Sequence, residues 1–377
     1  MTAGIFWAAV AFVAYAYAGY PLLLAAIAGV RRRGVRRAAI TPPVAFVIAA
    51  RNEARRIREK LDNTLAQDYP RERLAVLVAS DASDDGTDDV VRAYAPAGVR
   101  LVRAPVRAGK EAAQRGAIAA SREEILVFSD VATLLPPDGV RQIVANFADP
   151  TVGCASSVDR VVDAGGRASG EGAYVRYEMA LRALETRAGT VVGLSGSFFA
   201  ARRVVCRDWP PDVPSDFHVV VSAVRRGLRA VSDPHSVGYY RDVADGTREF
   251  DRKVRTVLRG MCALRRAAPL LNPLRHGLFA WQLASHKLCR WLVPPALLVA
   301  LVSGVALAGR SPLYATLGGA QVAFYLLALG GLRGGRWLER RLLRIPTFFL
   351  LVNASILHAW VRYVRGERLV AWTPSER

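Results

Sequence analysis

The stretch LVFSDVAT, residues 126–133, decides the fold. An apolar run of strand type stops at Ser129-Asp130, and helix-compatible sequence resumes only after Pro136-Pro137. In an open α/β sheet ligands bind just beyond the carboxyl ends of the strands, so a carboxylate there can meet a metal or a phosphate group. A second break of the same kind lies upstream, in AVLVASDASDDGT at 75–87. Around these two breaks, apolar runs at 44–50, 74–79, 99–102 and 126–128 read as strands. The stretches 53–65, 87–94 and 111–120 read as helices between them. Short turns and this alternation predict an α/β fold with a mostly parallel sheet covered on both faces.

Further along, a helix to Phe147, a strand-like run at 152–158 and a helix at 170–188 are expected. A Gly/Ser-interrupted strand at 191–201 and a helix at 217–226, stopping at Gly227, follow. Neither GxGxxG nor GxxxxGK[ST] occurs, so a dinucleotide fingerprint and a P-loop are both unsupported. The four cysteines (Cys154, Cys206, Cys262, Cys289) are scattered without a CxxC, which suits reduced structural thiols better than a metal site or a disulfide framework.

Composition changes along the chain. Residues 4–30 carry no charge, and 291–361 are again strongly apolar. The formal net charge of +20 is concentrated beside these segments, at 31–37 and 333–344. That placement follows the positive-inside pattern and not a nucleic-acid groove. The stretch 5–30 is long enough to cross a bilayer, with residue 31 onward in the cytoplasm. In 247–266, Phe250, Val254, Val257, Met261 and Leu264 form an apolar stripe opposite Arg252, Arg255, Arg259 and Arg266. Residues 272–291 look like another interfacial helix, and 292–308 with 313–332 like a transmembrane hairpin. For 345–361 both a spanning and an interfacial or re-entrant placement are open. The expected domains are thus a transmembrane helix with basic flank (1–37), a cytoplasmic catalytic domain (38–246), interfacial helices (247–291) and a transmembrane region (292–377). The expected location is the plasma (inner) membrane, crossed several times.

Taken singly, the strand-end aspartates are weak signals, because acidic residues commonly cap helices in β–α loops. Their combination is specific. PPVAFVIAARNE (42–53), SDASDDGT (80–87), RAGKEAAQRGAI (107–118), VFSDVAT (127–133), GLSGSFFAARR (193–203), VPSDFHVVVSAVRRGLRAV (213–231) and REFDRKVRTVLRG (248–260) occur in one order and spacing. In this the chain resembles the family 2 inverting glycosyltransferases of GT-A fold, and in particular the membrane-embedded branch that includes hyaluronan, chitin and cellulose synthases. The resemblance runs from Pro42 through NPLRHGLFAWQLASHKLCRWLVP (272–294).

The resemblance implies a nucleotide diphospho-sugar donor of the UDP-sugar kind, a saccharide or lipid-linked acceptor, Mg2+ or Mn2+, and contact with membrane lipids. It implies that Asp81 holds the donor nucleoside, that Lys110 is the donor-side lysine, that Arg259 meets the diphosphate, and that Asp130 is the donor-side metal ligand. Asp216 takes the position of the catalytic base, and Ser195 and Gly196 fall in the acceptor loop. Four positions depart from the family pattern. Ala132 stands where the second acid of DxD is expected, Thr256 and Gly260 replace the Gln and the Trp of QxxRW, and Ser215 precedes Asp216 in place of an acid. The implied activity is extension of a polysaccharide. The alternatives are single-sugar transfer to a lipid, which the missing Trp favours, and an inactive scaffold of the same fold, which Ala132 motivates.

Overall fold

The computed structural model describes residues 1–162, 173–241, 246–332 and 341–368. Two compact units are present. One is built on Leu24–Ala244 with Cys262–Phe279, and the other on Met1–Leu23, Asp245–Met261 and Ala280–Arg368.

The first unit is an α/β layer structure around seven strands: β1 (Val44–Ala50), β2 (Leu74–Ser80), β3 (Val99–Arg103), β4 (Ile125–Asp130), β5 (Val152–Val162), β6 (Phe198–Arg202) and β7 (Arg229–Arg241). Their order in the sheet is β3-β2-β1-β4-β6-β5-β7. Strands β3, β2, β1 and β4 are parallel, β6 is antiparallel to both its neighbours, and β5 and β7 are parallel to each other. β1 is buried at every residue, as a central strand covered on both faces must be. With side chains alternating between faces, Val44, Phe46, Ile48 and Ala50 join Ile57, Leu61, Val140, Ile143 and Val144 in one apolar cluster. The helix Lys110–Ala119 packs on β1, β2 and β3.

Register sets where chemistry can happen. Ala50 pairs with Ser80 and Ala49 with Asp130, so the carboxyl ends of β1, β2 and β4 finish side by side. Because β6 runs the other way, with Phe198 opposite Ser129, its entry turn arrives at that same edge. The expected strands and helices up to Phe147 are present, although the first helix begins at Ile57. Two elements differ from expectation. The strand at 191–201 is reduced to Phe198–Arg202, because Ser195 and Ser197 turn their hydroxyls onto Asp159 and hold 195–197 as a turn. β7 is an addition to the expected strands, since Pro234 and the polar run around it mask the alternation; its pairing with β5 shifts register twice. The start of the expected 170–188 helix and most of the basic run 333–344 lie outside the described residues.

The second unit is helical. Among the described residues, four helical runs, Thr2–Arg31, Pro273–Leu307, Pro312–Gly331 and Ile345–Val364, are long and apolar enough to cross a membrane. The stretch read as a separate interfacial helix at 272–291 runs on into the next segment, with a kink at Gly277 (φ 50°, ψ −124°). Residues 345–361 lie in one continuous helix, Arg341–Val364. Small residues let these helices meet closely: a Cβ on Gly318 would lie 3.8 Å from the Gly304 carbonyl carbon. Polar groups inside find partners, with Trp281 Nε1 donating to Tyr15 Oη at 2.9 Å and Tyr15 Oη 2.6 Å from Ser285 Oγ. All four cysteines are free thiols.

Candidate active site

At the ends of β1 and β2 the acidic loop is tied up by its own backbone. Asp85 accepts from Ala54 N (3.0 Å) and Thr87 N (3.0 Å), Thr87 Oγ1 accepts from Glu53 N (2.7 Å), and Asn52 Oδ1 accepts from Asp84 N (3.1 Å). Asp88 receives Ser80 Oγ at 2.6 Å and pairs with Arg103. The DDGT segment therefore does turn chemistry, lacing two strand ends together. Asp81 is fully buried. Its carboxylate accepts from Ala108 N (2.7 Å) and from Gly109 N (3.0 Å to each oxygen). Gly109 has φ 98°, a conformation that glycine adopts without the cost a Cβ would add, and it opens the helix that starts at Lys110. Asp81 thus positions Lys110 through two backbone amides.

Lys110 points to the end of β4. Its Nζ lies 2.5 Å from Asp130 Oδ1 and donates to the Gly196 carbonyl at 3.0 Å. Asp130 N in turn donates to Ser197 O at 2.9 Å. The 195–197 turn also faces the helix Ser215–Arg225, whose first turn carries Asp216. A Cβ added to Gly196 would stand 3.5 Å from Asp216 Oδ2, so the bare Cα brings the turn close to that carboxylate. Lys110, Asp130, Ser195, Gly196 and Asp216, five residues that the sequence singles out, are brought together through one short turn. Asp81 acts one layer behind them.

Two charged side chains that carry no sequence signal support this centre. Lys60 is fully buried beneath the β4 turn, where its Nζ donates to Ser129 Oγ (2.8 Å) and Thr133 O (2.5 Å) and stands 5.3 Å from the Phe46 ring. Burial pushes its pKa down to about 7, and the Asp130 charge pulls it back up. Glu53 is raised mainly by burial, with Arg56 opposing the shift and Asp130 adding to it. A third residue that sequence reasoning misses is Asp159 on β5, which receives both serine hydroxyls of the turn. A lone Asp in a strand interior carries no local signal for such a role.

Asp130 fits a hard divalent cation, being a carboxylate with a side chain one-third exposed (34%) at a strand end. Among the described residues, however, no three His, Cys, Asp or Glu side chains converge on a metal position. Ala132 supplies no oxygen from its side chain. The donor set suits an ion that takes most of its ligands from diphosphate and water, as Mg2+ and Mn2+ do in nucleotide sites.

Arg259 belongs to the helical unit, on the helix Gly246–Arg266. Arg255 beside it has a lowered pKa, through burial first and then the Arg259 and Arg252 cations. Crowded guanidinium groups of this kind favour an anionic ligand. In the same unit Trp291 packs on Gly260, where a Cβ would approach its Cζ2 to 3.0 Å. In the sheet unit His218 sits edge-on to Trp209, with ring centroids 5.7 Å apart, and burial lowers its pKa to about 4, so its imidazole is neutral at pH 7.

The mannosyltransferase PcManGT from Pyrobaculum calidifontis, solved in complex with GDP-Man and Mn2+, superposes with a TM-score of 0.75 at 26% identity, covering 97% of this chain and 100% of that one. The beta-monoglucosyldiacylglycerol synthase of Synechocystis sp. (strain ATCC 27184 / PCC 6803 / Kazusa) is 32% identical over 117 residues, 30% of this chain and 24% of the relative. The chain therefore matches about a quarter of the length of that relative. The family model described as "Glycosyltransferase like family 2" matches residues 42–263, which carry the whole sheet and every strand-end residue described above. With the GT-A sheet and this match over more than half of its length, the chain belongs to glycosyltransferase family 2.

Proposed function

We propose that the protein transfers one sugar from a nucleoside-diphosphate sugar to a lipid acceptor at a membrane, with Asp216 as general base. The observation that carries the transfer reaction is the convergence of Lys110, Asp130 and Asp216 on the Gly196 turn. A cation at the strand ends balances the charge that grows on a departing diphosphate, while a carboxylate across the turn takes the proton of the attacking hydroxyl. In the transfer the acceptor oxygen forms a bond to the sugar C1, and the bond from C1 to the diphosphate oxygen breaks. The hydroxyl proton passes to Asp216, and the nucleoside diphosphate leaves against Lys110. Ser195 and Gly196 border the acceptor side. A divalent ion bound at Asp130 supplies charge neutralisation for the diphosphate.

The lipid acceptor is supported by Gly260 in place of the aromatic platform expected of a chain-extending synthase, and by the membrane-lipid product named for the Synechocystis relative. GDP-mannose and UDP-glucose are the donors to assay first, since the two relatives are named for mannosyl and glucosyl transfer. The catalytic residues 38–246 face the cytoplasm, following the positive flank at 31–37. The test incubates the purified full chain with Mn2+, each labelled donor and diacylglycerol-containing vesicles, then separates lipid, polymer and free nucleotide. Label in the organic phase is the expected result, and Asp216→Asn lowers turnover by about 10²–10⁴-fold with donor affinity unchanged. Label in an insoluble polymer overturns the lipid assignment. An Asp216→Asn enzyme as fast as wild type overturns the base.

A further inference from the structure

We infer that Asp159 is a positioning residue for the transfer, a clamp that fixes the Ser195-Gly196-Ser197 turn and through it sets Asp216 against the Lys110–Asp130 pair. Its carboxylate oxygens lie 2.6 Å and 2.6 Å from Ser195 Oγ, and Oδ1 also receives Ser197 Oγ at 2.6 Å. The two serine oxygens are 2.8 Å apart, so the carboxylate and both hydroxyls close a compact ring around Gly196. An ionised carboxylate is an acceptor only, and hydroxyls donating to it make short, charge-assisted bonds. Among the described residues no Lys, Arg or His forms an ion pair with Asp159, so the two serine hydroxyls are what its charge holds.

The strand that carries Asp159 is irregular just before this residue. β5 pairs with β6 only at Cys154, Ala155 and Ser156. Its pairing with β7 then shifts register between Ser156 and Val158. Irregularities of this kind re-aim a side chain and recur beside active sites. One residue past the shift, Asp159 caps the turn that enters β6, while Ser156 Oγ accepts from Ser195 N at 2.7 Å and fixes the start of the same turn.

The contacts that assemble the centre pass through this turn and the residue before it. The Gly196 carbonyl holds Lys110 Nζ, the Ser197 carbonyl holds Asp130 N, the Gly196 Cα faces the Asp216 carboxylate, and Leu194 N donates to Asp216 O at 3.3 Å. The Lys110–Asp130 contact is direct and does not depend on Asp159. Loss of the clamp therefore loosens Asp216 relative to the donor while leaving the donor-side ion pair in place. The consequence is a split between kcat and KM: removal lowers the chemical step and spares donor binding. Misplacement of a reacting group by about 1 Å is enough for a loss of about 100-fold in rate.

This reading rests on the roles proposed for Lys110 and Asp216, and its test separates the two. Full-length Asp159→Ala, Asp159→Asn, Asp216→Asn and the double variant Asp159→Ala/Asp216→Asn are assayed for nucleoside-diphosphate release and for GDP–Mn2+ binding by calorimetry. Hydrogen exchange is followed at 193–198. Expected are a kcat lowered about 100-fold in Asp159→Ala, GDP–Mn2+ affinity within about threefold of wild type, faster exchange confined to 193–198, and partial recovery in Asp159→Asn, whose amide oxygen still accepts one hydroxyl. The double variant is no slower than Asp216→Asn, because a clamp has nothing left to position once the base is gone. Equal kcat in Asp159→Ala and wild type, with Asp216→Asn inactive, overturns the clamp and leaves the base assignment standing. Full activity of Asp216→Asn overturns the base assignment itself. If Asp159→Ala does not fold, Ser197→Ala, which removes one arm of the ring, is read by the same criteria.

Discussion

Replacing Lys60 by Met tests the electrostatics under the β4 turn. The ammonium is fully buried, is held by Ser129 Oγ at 2.8 Å and Thr133 O at 2.5 Å, and has a pKa lowered from 10.5 to about 7, chiefly by burial. The folded value lies below the unfolded one, so between about pH 7 and 10.5 the unfolded chain binds the extra proton and stability rises with pH. Below pH 7 both states carry the proton and the contribution is flat. A difference of one pH unit between the two titrations is worth about 1.4 kcal/mol, so moving from pH 7 to pH 9 adds about 2 kcal/mol to wild-type stability from this one group. Lys60→Met has no such gain. At pH 6.5 the variant is relieved of a buried charge but leaves the Thr133 carbonyl without its donor, a loss of about 1–3 kcal/mol that opposes the relief. The variant's melting temperature therefore stands highest relative to wild type at that pH, and it loses ground to wild type steadily by pH 9. Thermal unfolding of the detergent-solubilised full chain, followed across this range, measures the difference. Two melting curves that stay parallel throughout refute the buried-ammonium reading.

Two further outcomes follow from the site. Ala132→Asp restores a second acid to the β4 turn, and Mn2+ binding measured without nucleotide tightens by at least about tenfold, as expected for one added hard oxygen ligand; unchanged affinity would mean that this turn does not hold the ion. Gly109→Ala forces a side chain onto a residue at φ 98°, and the strain of about 1–3 kcal/mol appears as a lower melting temperature together with a raised donor KM, because Lys110 follows directly. A lowered melting temperature with an unchanged donor KM would separate Gly109 from the positioning of Lys110.

Local pattern makes much of this molecule readable in one dimension. Val44–Ala50 is a strand buried on both faces and is apolar at every position, so its place at the centre of the sheet is legible from its own residues. Asp130 and Asp81 are legible for a related reason, since an apolar run that ends in an acid marks the ligand-facing edge of a parallel sheet. Apolar segments long enough for a membrane are equally plain, because length and composition alone define them. How each acid spends its lone pairs is less plain. The family resemblance places Asp81 near the donor nucleoside, and only the folded loop reveals that it also holds Ala108 N and Gly109 N.

The remaining parts of the site depend on encounters between residues far apart in the chain. Asp159 meets Ser195 across 36 residues and Lys60 meets Ser129 across 69, and neither pairing leaves a periodic trace. β7 is hidden because Pro234 and its polar neighbours break the alternation, while its pairing with β5 comes from the sheet. Burial and periodicity act within a few residues, and from them alone come the class of fold, the acidic strand ends and the apolar helices. The gathering of one cation and two carboxylates by a single Ser-Gly-Ser turn, clamped by Asp159 and supported beside a buried Lys60, belongs to the folded chain. Those contacts are made by strand register and crossover, which no short stretch of sequence contains.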